Sequence, residues 1–182
     1  MSENHQVSIT HGCSLTVKNP AVGRFINNGS YAGIRLGRLQ HNSLICSIPA
    51  PDGAKGWRIN AVMLLYNIKN IHGPGKKRGA SGKIVAVEVR DARRLVHKFE
   101  NLDLPADNDW RIYYLHLPAS SINIYDFGLS VTIQVDHGPT GIFPTEFLFS
   151  SIGLVLSKSA DALERSIPAE GPVKKSKKIK KR

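Results

Sequence analysis

Apolar and polar residues alternate with period two along most of the chain. The cleanest stretch is residues 127–136, where Phe127, Leu129, Val131, Ile133 and Val135 alternate with Gly128, Ser130, Thr132, Gln134 and Asp136. Successive strand side chains point to opposite faces, so this pattern predicts a strand with one face in a core and one in water. Lys83–Arg90 repeats it with Val85, Val87 and Val89. Ala32, Ile34 and Leu36 alternate with Gly33, Arg35 and Gly37, and Leu15 and Val17 do the same near the start. Trp57–Ile68 is apolar on both faces in its middle, which predicts a central strand. Ser43–Ile48, Arg93–Phe99, Asp109–Leu117 and Phe147–Leu156 bring the total to about eight or nine strands. Turn clusters separate them: NPAVG, NNGS, PAPDG and HGPTG.

No segment of helical period interrupts residues 7–156. Parallel strands need long crossovers, so the pairing should be mainly antiparallel. That many strands in so few residues predicts an all-β fold: an antiparallel two-sheet β-sandwich, jelly-roll-like, with a closed barrel as the alternative. The alternation places Leu15, Val17, Ile34, Leu36, Val62 and Leu64 in the core. It adds Val85, Val87, Ile112, Leu129, Val131, Ile133, Val135, Leu148, Ile152 and Leu154. Residues 1–158 read as the sandwich domain, 159–173 as a short helical turn and linker, and 174–182 as a disordered lysine-rich tail.

A set of short motifs, in order, resembles a bacterial family of small β-sandwich proteins of unknown function. They are His11-Gly12-Cys13-Ser14, Ser47-Ile48-Pro49-Ala50-Pro51, Val85–Asp91, Asn101-Leu102 with Trp110, Gly128-Leu129-Ser130-Val131, and Phe149-Ser150-Ser151-Ile152-Gly153. The resemblance covers roughly residues 8–156. It implies the sandwich fold and carries no catalytic residues. The basic loop near Gly73–Gly82 and the lysine tail depart from it.

Composition adds one asymmetry. Hydrophobic residues are 41% of the 182, enough for a core, which excludes a wholly disordered chain. The net charge is +11, yet seven cations sit in the last nine residues: Lys174, Lys175, Lys177, Lys178, Lys180, Lys181 and Arg182. Residues 1–173 keep 18 basic against 14 acidic side chains, a net +4. Such a tail is expected to hold a polyanion, most plausibly nucleic acid, without sequence preference, because a flexible arm has nothing rigid with which to read bases. Lys76, Lys77 and Arg78 offer a secondary anion patch.

The remaining chemistry is sparse. Gly82-Lys83 lacks the first glycine and the hydroxyl of a phosphate loop and leads into a strand. No histidine pair has metal-ligand spacing, and Cys13 and Cys46 lie in no zinc motif, so no metal or cofactor is expected. Glu100, Asp103, Asp107 and Asp109 crowd a segment that reads as an acidic turn, with calcium as the alternative. Asp136 and His137 are neighbours on a strand and point apart. No nucleophile motif survives its spacing, so the expectation is a non-enzymatic binding or structural module. Trp57, Trp110, Tyr31, Tyr113, Tyr114 and Tyr125 are candidates for a sugar-stacking platform. A lectin-like sugar binder and a self-assembling shell-type jelly roll, a homo-oligomer, are the alternatives to the polyanion reading. Without a leader, and with an apolar run of only six residues at Ala61–Tyr66, the chain reads as cytoplasmic and free of a membrane span.

Overall fold

The computed structural model describes residues 5–51, 57–71, 82–104, 109–118, 124, 128–139 and 142–158. It is all-β, two antiparallel sheets packed face to face. The described strands are β1 (His5–His11), β2 (Thr16–Val17), β3 (Arg24–Asn27), β4 (Ala32–Leu36), β5 (His41–Ser47) and β6 (Trp57–Asn70). They continue with β7 (Gly82–Asp91), β8 (Arg94–Phe99), β9 (Arg111–His116), β10 (Leu129–His137) and β11 (Thr145–Lys158). Sheet I runs β3-β4-β11-β6-β9, with β1 also on β11. Sheet II runs β2-β5-β10-β7-β8. The turn and linker of 159–173 and the tail of 174–182 lie outside the described residues.

Two long strands organise sheet I. β6 and β11 pair antiparallel over most of their 14 residues each, from Thr145 opposite Asn70 to Lys158 opposite Trp57. The other side of β11 is shared: β4 takes 145–149 and β1 takes 151–157. β4 and the turn that follows β1 sit so close to β11 that Gly33 and Gly12 admit no side chain. A Cβ at either would stand 1.8 Å from a carbonyl oxygen of β11, that of Phe147 or Phe149.

The core is filled by alternate residues of both sheets. Sheet I supplies Ile34, Val62, Leu64, Tyr66, Phe147 and Leu154; sheet II supplies Leu44, Cys46, Val87, Val89, Val131 and Ile133. The β10 alternation holds over its whole length, Leu129, Val131, Ile133 and Val135 being buried and the residues between them half-buried.

Four expected core positions fall elsewhere. Val85 is only half-buried, because a register shift in the β7–β10 pairing makes Ile84 and Val87 the inward residues. Ile112 is 60% exposed, since β9 pairs in a register that turns Leu115 inward. Leu148 is buried but outside the core cluster, its neighbours Phe147 and Phe149 taking the inward positions. Val17 is half-buried against the core at the sandwich edge. β1 and β3 are additional strands that the alternation analysis passed over.

Candidate functional face

The outer faces of the two sheets differ in chemistry. On sheet II the outward residues around Glu88 are polar and satisfied by one another, with Ile45 and the exposed Leu95 as the apolar members of that face. Glu88 accepts from Gln134 Nε2 at 3.2 Å and from Arg90 Nη2 at 3.1 Å, with Ser130 and Thr132 alongside in register. Lys98, opposite Glu88, pairs with Glu100 at 2.5 Å, and that hydrogen bond raises the lysine pKa.

Sheet I is different. Its registers place Val7, Val155, Ala61 and His116 in one row across four strands. Ile9, Gly153, Met63 and Tyr114 form the next row, and His11, Ser151, Leu65 and Ile112 the third. The intervening rows, such as Leu154, Val62 and Leu115, belong to the core, so these three rows face outward. Val7, Ile9, Ile112 and Tyr114 are exposed, Tyr114 by 48%. Gly153 leaves a trough between Ile9 and Met63; a Cβ there would stand 2.8 Å from the Ser8 carbonyl oxygen. The exposed apolar side chains gathered on this sheet face make it the candidate binding surface.

The aromatic part of this face lies along β9. Trp110 precedes the strand, and Ile112, Tyr114 and His116 follow at two-residue steps on the outward side. Six residue steps at about 3.4 Å make this stripe roughly 20 Å long. Tyr114 and His116 stack with ring centroids 6.4 Å apart and planes at 27°. Tyr31, from the turn before β4, reaches the Trp110 ring at a centroid distance of 5.6 Å. Of the six aromatics proposed from the sequence, Tyr31, Trp110 and Tyr114 therefore come together. Tyr113 is exposed on the opposite face of β9, Trp57 packs against the core, and Tyr125 lies outside the described residues. Ile112 was expected in the core and His116 was not singled out, because the sequence does not show which side of β9 faces out. Val7 and Ile9 did carry a signal, alternating with Ser8 and Thr10.

The other candidates are placed as follows. Lys76, Lys77, Arg78 and the tail residues Lys174, Lys175, Lys177, Lys178, Lys180, Lys181 and Arg182 lie outside the described residues, as does Asp107. Glu100 and Asp103 face Lys98 and Lys83 instead of converging on a cation site. Among the described residues, no group of three or more His, Cys, Asp or Glu side chains is placed to hold a metal ion. His137 is fully buried, its Nδ1 3.0 Å from the Gly138 carbonyl oxygen and its Nε2 2.7 Å from that of Phe143; Asp136 lies on the other face. Cys13 and Cys46 are free thiols, and burial pushes the Cys46 thiol up to about 11, which keeps it protonated and unreactive near neutrality. Among the described residues no helix is long and apolar enough to cross a membrane.

No protein-family model and no curated protein matches the chain. Of the resemblance to the bacterial sandwich family, the sandwich itself is what the structure shows. Among solved structures the chain is similar to TmCBM61 in complex with β-1,4-galactotriose, at 14% identity and a TM-score of 0.44. The match covers 82% of this chain and 86% of that one. At that score the likeness has no bearing on ligand.

Proposed function

We propose that this chain is a non-catalytic β-sandwich binding module that takes saccharide chains along the outward face of sheet I. The observation that carries this reading is the stripe of Trp110, Ile112, Tyr114 and His116, extended by Tyr31. A pyranose ring presents an apolar face of C–H groups, which packs on an aromatic face, while its hydroxyls stay at the rim for water and polar side chains. His116 within the stripe, and Ser151 and His11 farther along the row of Ile112, supply such groups. Ring-stacking contacts contribute about 0.5–1.5 kcal/mol each beyond area burial. A few of them give weak, reversible binding strengthened by avidity, the usual working range of a module without catalysis.

Affinity electrophoresis through gels containing galactans, glucans, xylans or mannans tests this reading. Retardation by at least one polysaccharide, lost in Trp110→Ala and Tyr114→Ala with unchanged circular dichroism, is the expected result. Free migration through every gel defeats it.

A second reading rests on the seven cations of residues 174–182. Their density favours polyanion binding by this tail, with Lys76, Lys77 and Arg78 as a secondary patch. Its support is compositional, and the two readings use different parts of the chain.

A further inference from the structure

The sandwich is open along one side. There sheet I ends in β3, four residues long, and sheet II in β2, two residues long. Phe25 on β3 pairs with Ile34, an inward residue, and so points inward itself. It is nevertheless 44% exposed. Between the two edges lies an apolar hollow of about 310 Å³, lined by Leu15, Val17, Pro20, Val22, Phe25 and Ile34. The hollow is open to solvent, so at about 30 Å³ per water-sized group its volume is an upper bound of roughly ten methylenes.

A second hollow, of about 580 Å³, adjoins it. Val22 lines both. Lys18, Asn19, Gln40 and His41 give this one a polar lining, and Lys18 is its fixed charge. Among the described residues no carboxylate lines either hollow; Asp136 stands beside His41 in the β5–β10 register. Leu39 stands among these polar groups, 66% exposed and with φ at 60°. A leucine in the left-handed region is strained, and an exposed one gains nothing from the core in return.

The loop between the hollows is held in place. Lys18 donates its backbone N–H to the Ser43 carbonyl at 2.9 Å. Buried Asn42 donates through Nδ2 to the carbonyls of Asn19 and Val22, both at 2.8 Å, and accepts from the Asn19 N–H at 3.2 Å. Gly23, at φ +82, lies where a Cβ would be 2.7 Å from the Arg35 carbonyl oxygen. The hollows are therefore pre-formed, as small-molecule sites usually are.

We propose that this double hollow binds a single-chain aliphatic carboxylate of about ten carbons. The alkyl chain lies between Val17, Val22 and Phe25, and the carboxylate meets Lys18. Charge selects the occupant. The lysine-rich segment 174–182 carries the same sign as Lys18, and a saccharide offers no alkyl chain for the apolar part. The site is separate from the aromatic stripe, so it stands whatever the glycan assays show.

The test uses the full chain, with calorimetry and thermal melts at ligand concentrations below micelle formation. Decanoate should bind one to one and raise the Tm, and decyltrimethylammonium should bind at least tenfold more weakly. Octanoate, two methylenes shorter, should bind about 15-fold more weakly. Lys18→Glu, an exposed change that leaves the core intact, should reverse the preference between decanoate and the cation. Val22→Trp should fill the apolar hollow and abolish both heat and Tm shift. Phosphatidylglycerol vesicles provide the control for lipid adsorption, and equal recruitment of the chain and Val22→Trp to them is expected. The proposal is overturned if decanoate gives no heat, if the cation binds as well, or if Val22→Trp binds decanoate normally. It is also overturned if vesicles recruit the chain only when Val22 is intact, because the hollow would then serve a bilayer and not a free acid.

Discussion

Cys46 lies on β5 opposite Val131, fully buried, and burial holds its thiol near pH 11 against an ordinary 9.0. Removing the sulfur by Cys46→Ala therefore changes how stability depends on pH as well as its absolute value. Below pH 9 both the folded and unfolded states keep the thiol proton, and the group has no pH-dependent effect. Above pH 9 the unfolded chain releases the proton while the folded chain retains it, so stability falls as pH rises until the folded thiol also titrates. One pKa unit is worth about 1.36 kcal/mol, and the two-unit shift gives a total loss of about 2.7 kcal/mol. At pH 10 the loss should already be about 1.4 kcal/mol. Urea unfolding of the wild type and Cys46→Ala at half-unit steps from pH 7 to 10.5 measures it. Lysine and tyrosine titrations are common to both proteins and cancel in the difference. The difference should be constant to about pH 8.5 and then turn against the wild type. Parallel profiles across the range would refute the argument, as would native-state alkylation of Cys46 as fast as that of half-buried Cys13.

Ile112→Lys should change stability by less than about 0.5 kcal/mol, as for an exposed site, whereas Leu115→Lys should unfold the chain; equal effects in a thermal melt would mean the β9 register is wrong. Gly33→Ala should cost about 3 kcal/mol or more by urea titration, because its Cβ meets the Phe147 carbonyl oxygen at 1.8 Å; a wild-type midpoint would contradict the close approach of β4 to β11. Leu39→Gly should stabilise the fold by about 1 kcal/mol through relief of the left-handed φ while weakening decanoate binding severalfold; a stabilised variant with full affinity removes Leu39 from that site. Deleting residues 174–182 should remove the salt-sensitive part of nucleic-acid binding, whose slope of log K on log salt is at most about −6 on duplex DNA, and leave the Tm unchanged; an unaltered slope in filter binding would end the polyanion reading.

Alternation revealed β10, β6 and the two-sheet architecture because those strands have one consistent inward face or two. It failed where backbone irregularities shift the phase. In β7 the inward set jumps from Ile84 to Val87, so a reading that starts at Val85 is out of step at one end and correct at the other. In β9 the sequence RIYYLH has apolar residues on both sides, and only pairing with β6 decides that Ile112 faces out. The aromatic candidates were legible as residue types; their grouping was not. Tyr31 and Trp110 are distant in sequence and meet because β4 and β9 belong to one sheet. The hollow at the open edge left no trace in the pattern, since it arises from the shortness of β2 and β3.

The position of β11 sets the timetable by which the chain acquires shape during synthesis. Every strand it pairs with (β1, β4 and β6) leaves the ribosome before it does. At about 5–20 residues per second, β6 is complete roughly 4–15 s before β11 begins to emerge. Sheet I cannot assemble in that interval, because its middle member does not yet exist, whereas β5, β7 and β10 of sheet II can already associate. The nascent chain therefore carries the long apolar β6 as an open edge for seconds, which is the state that chaperones recognise and that aggregation exploits. A premature stop anywhere before Thr145 makes that exposure permanent.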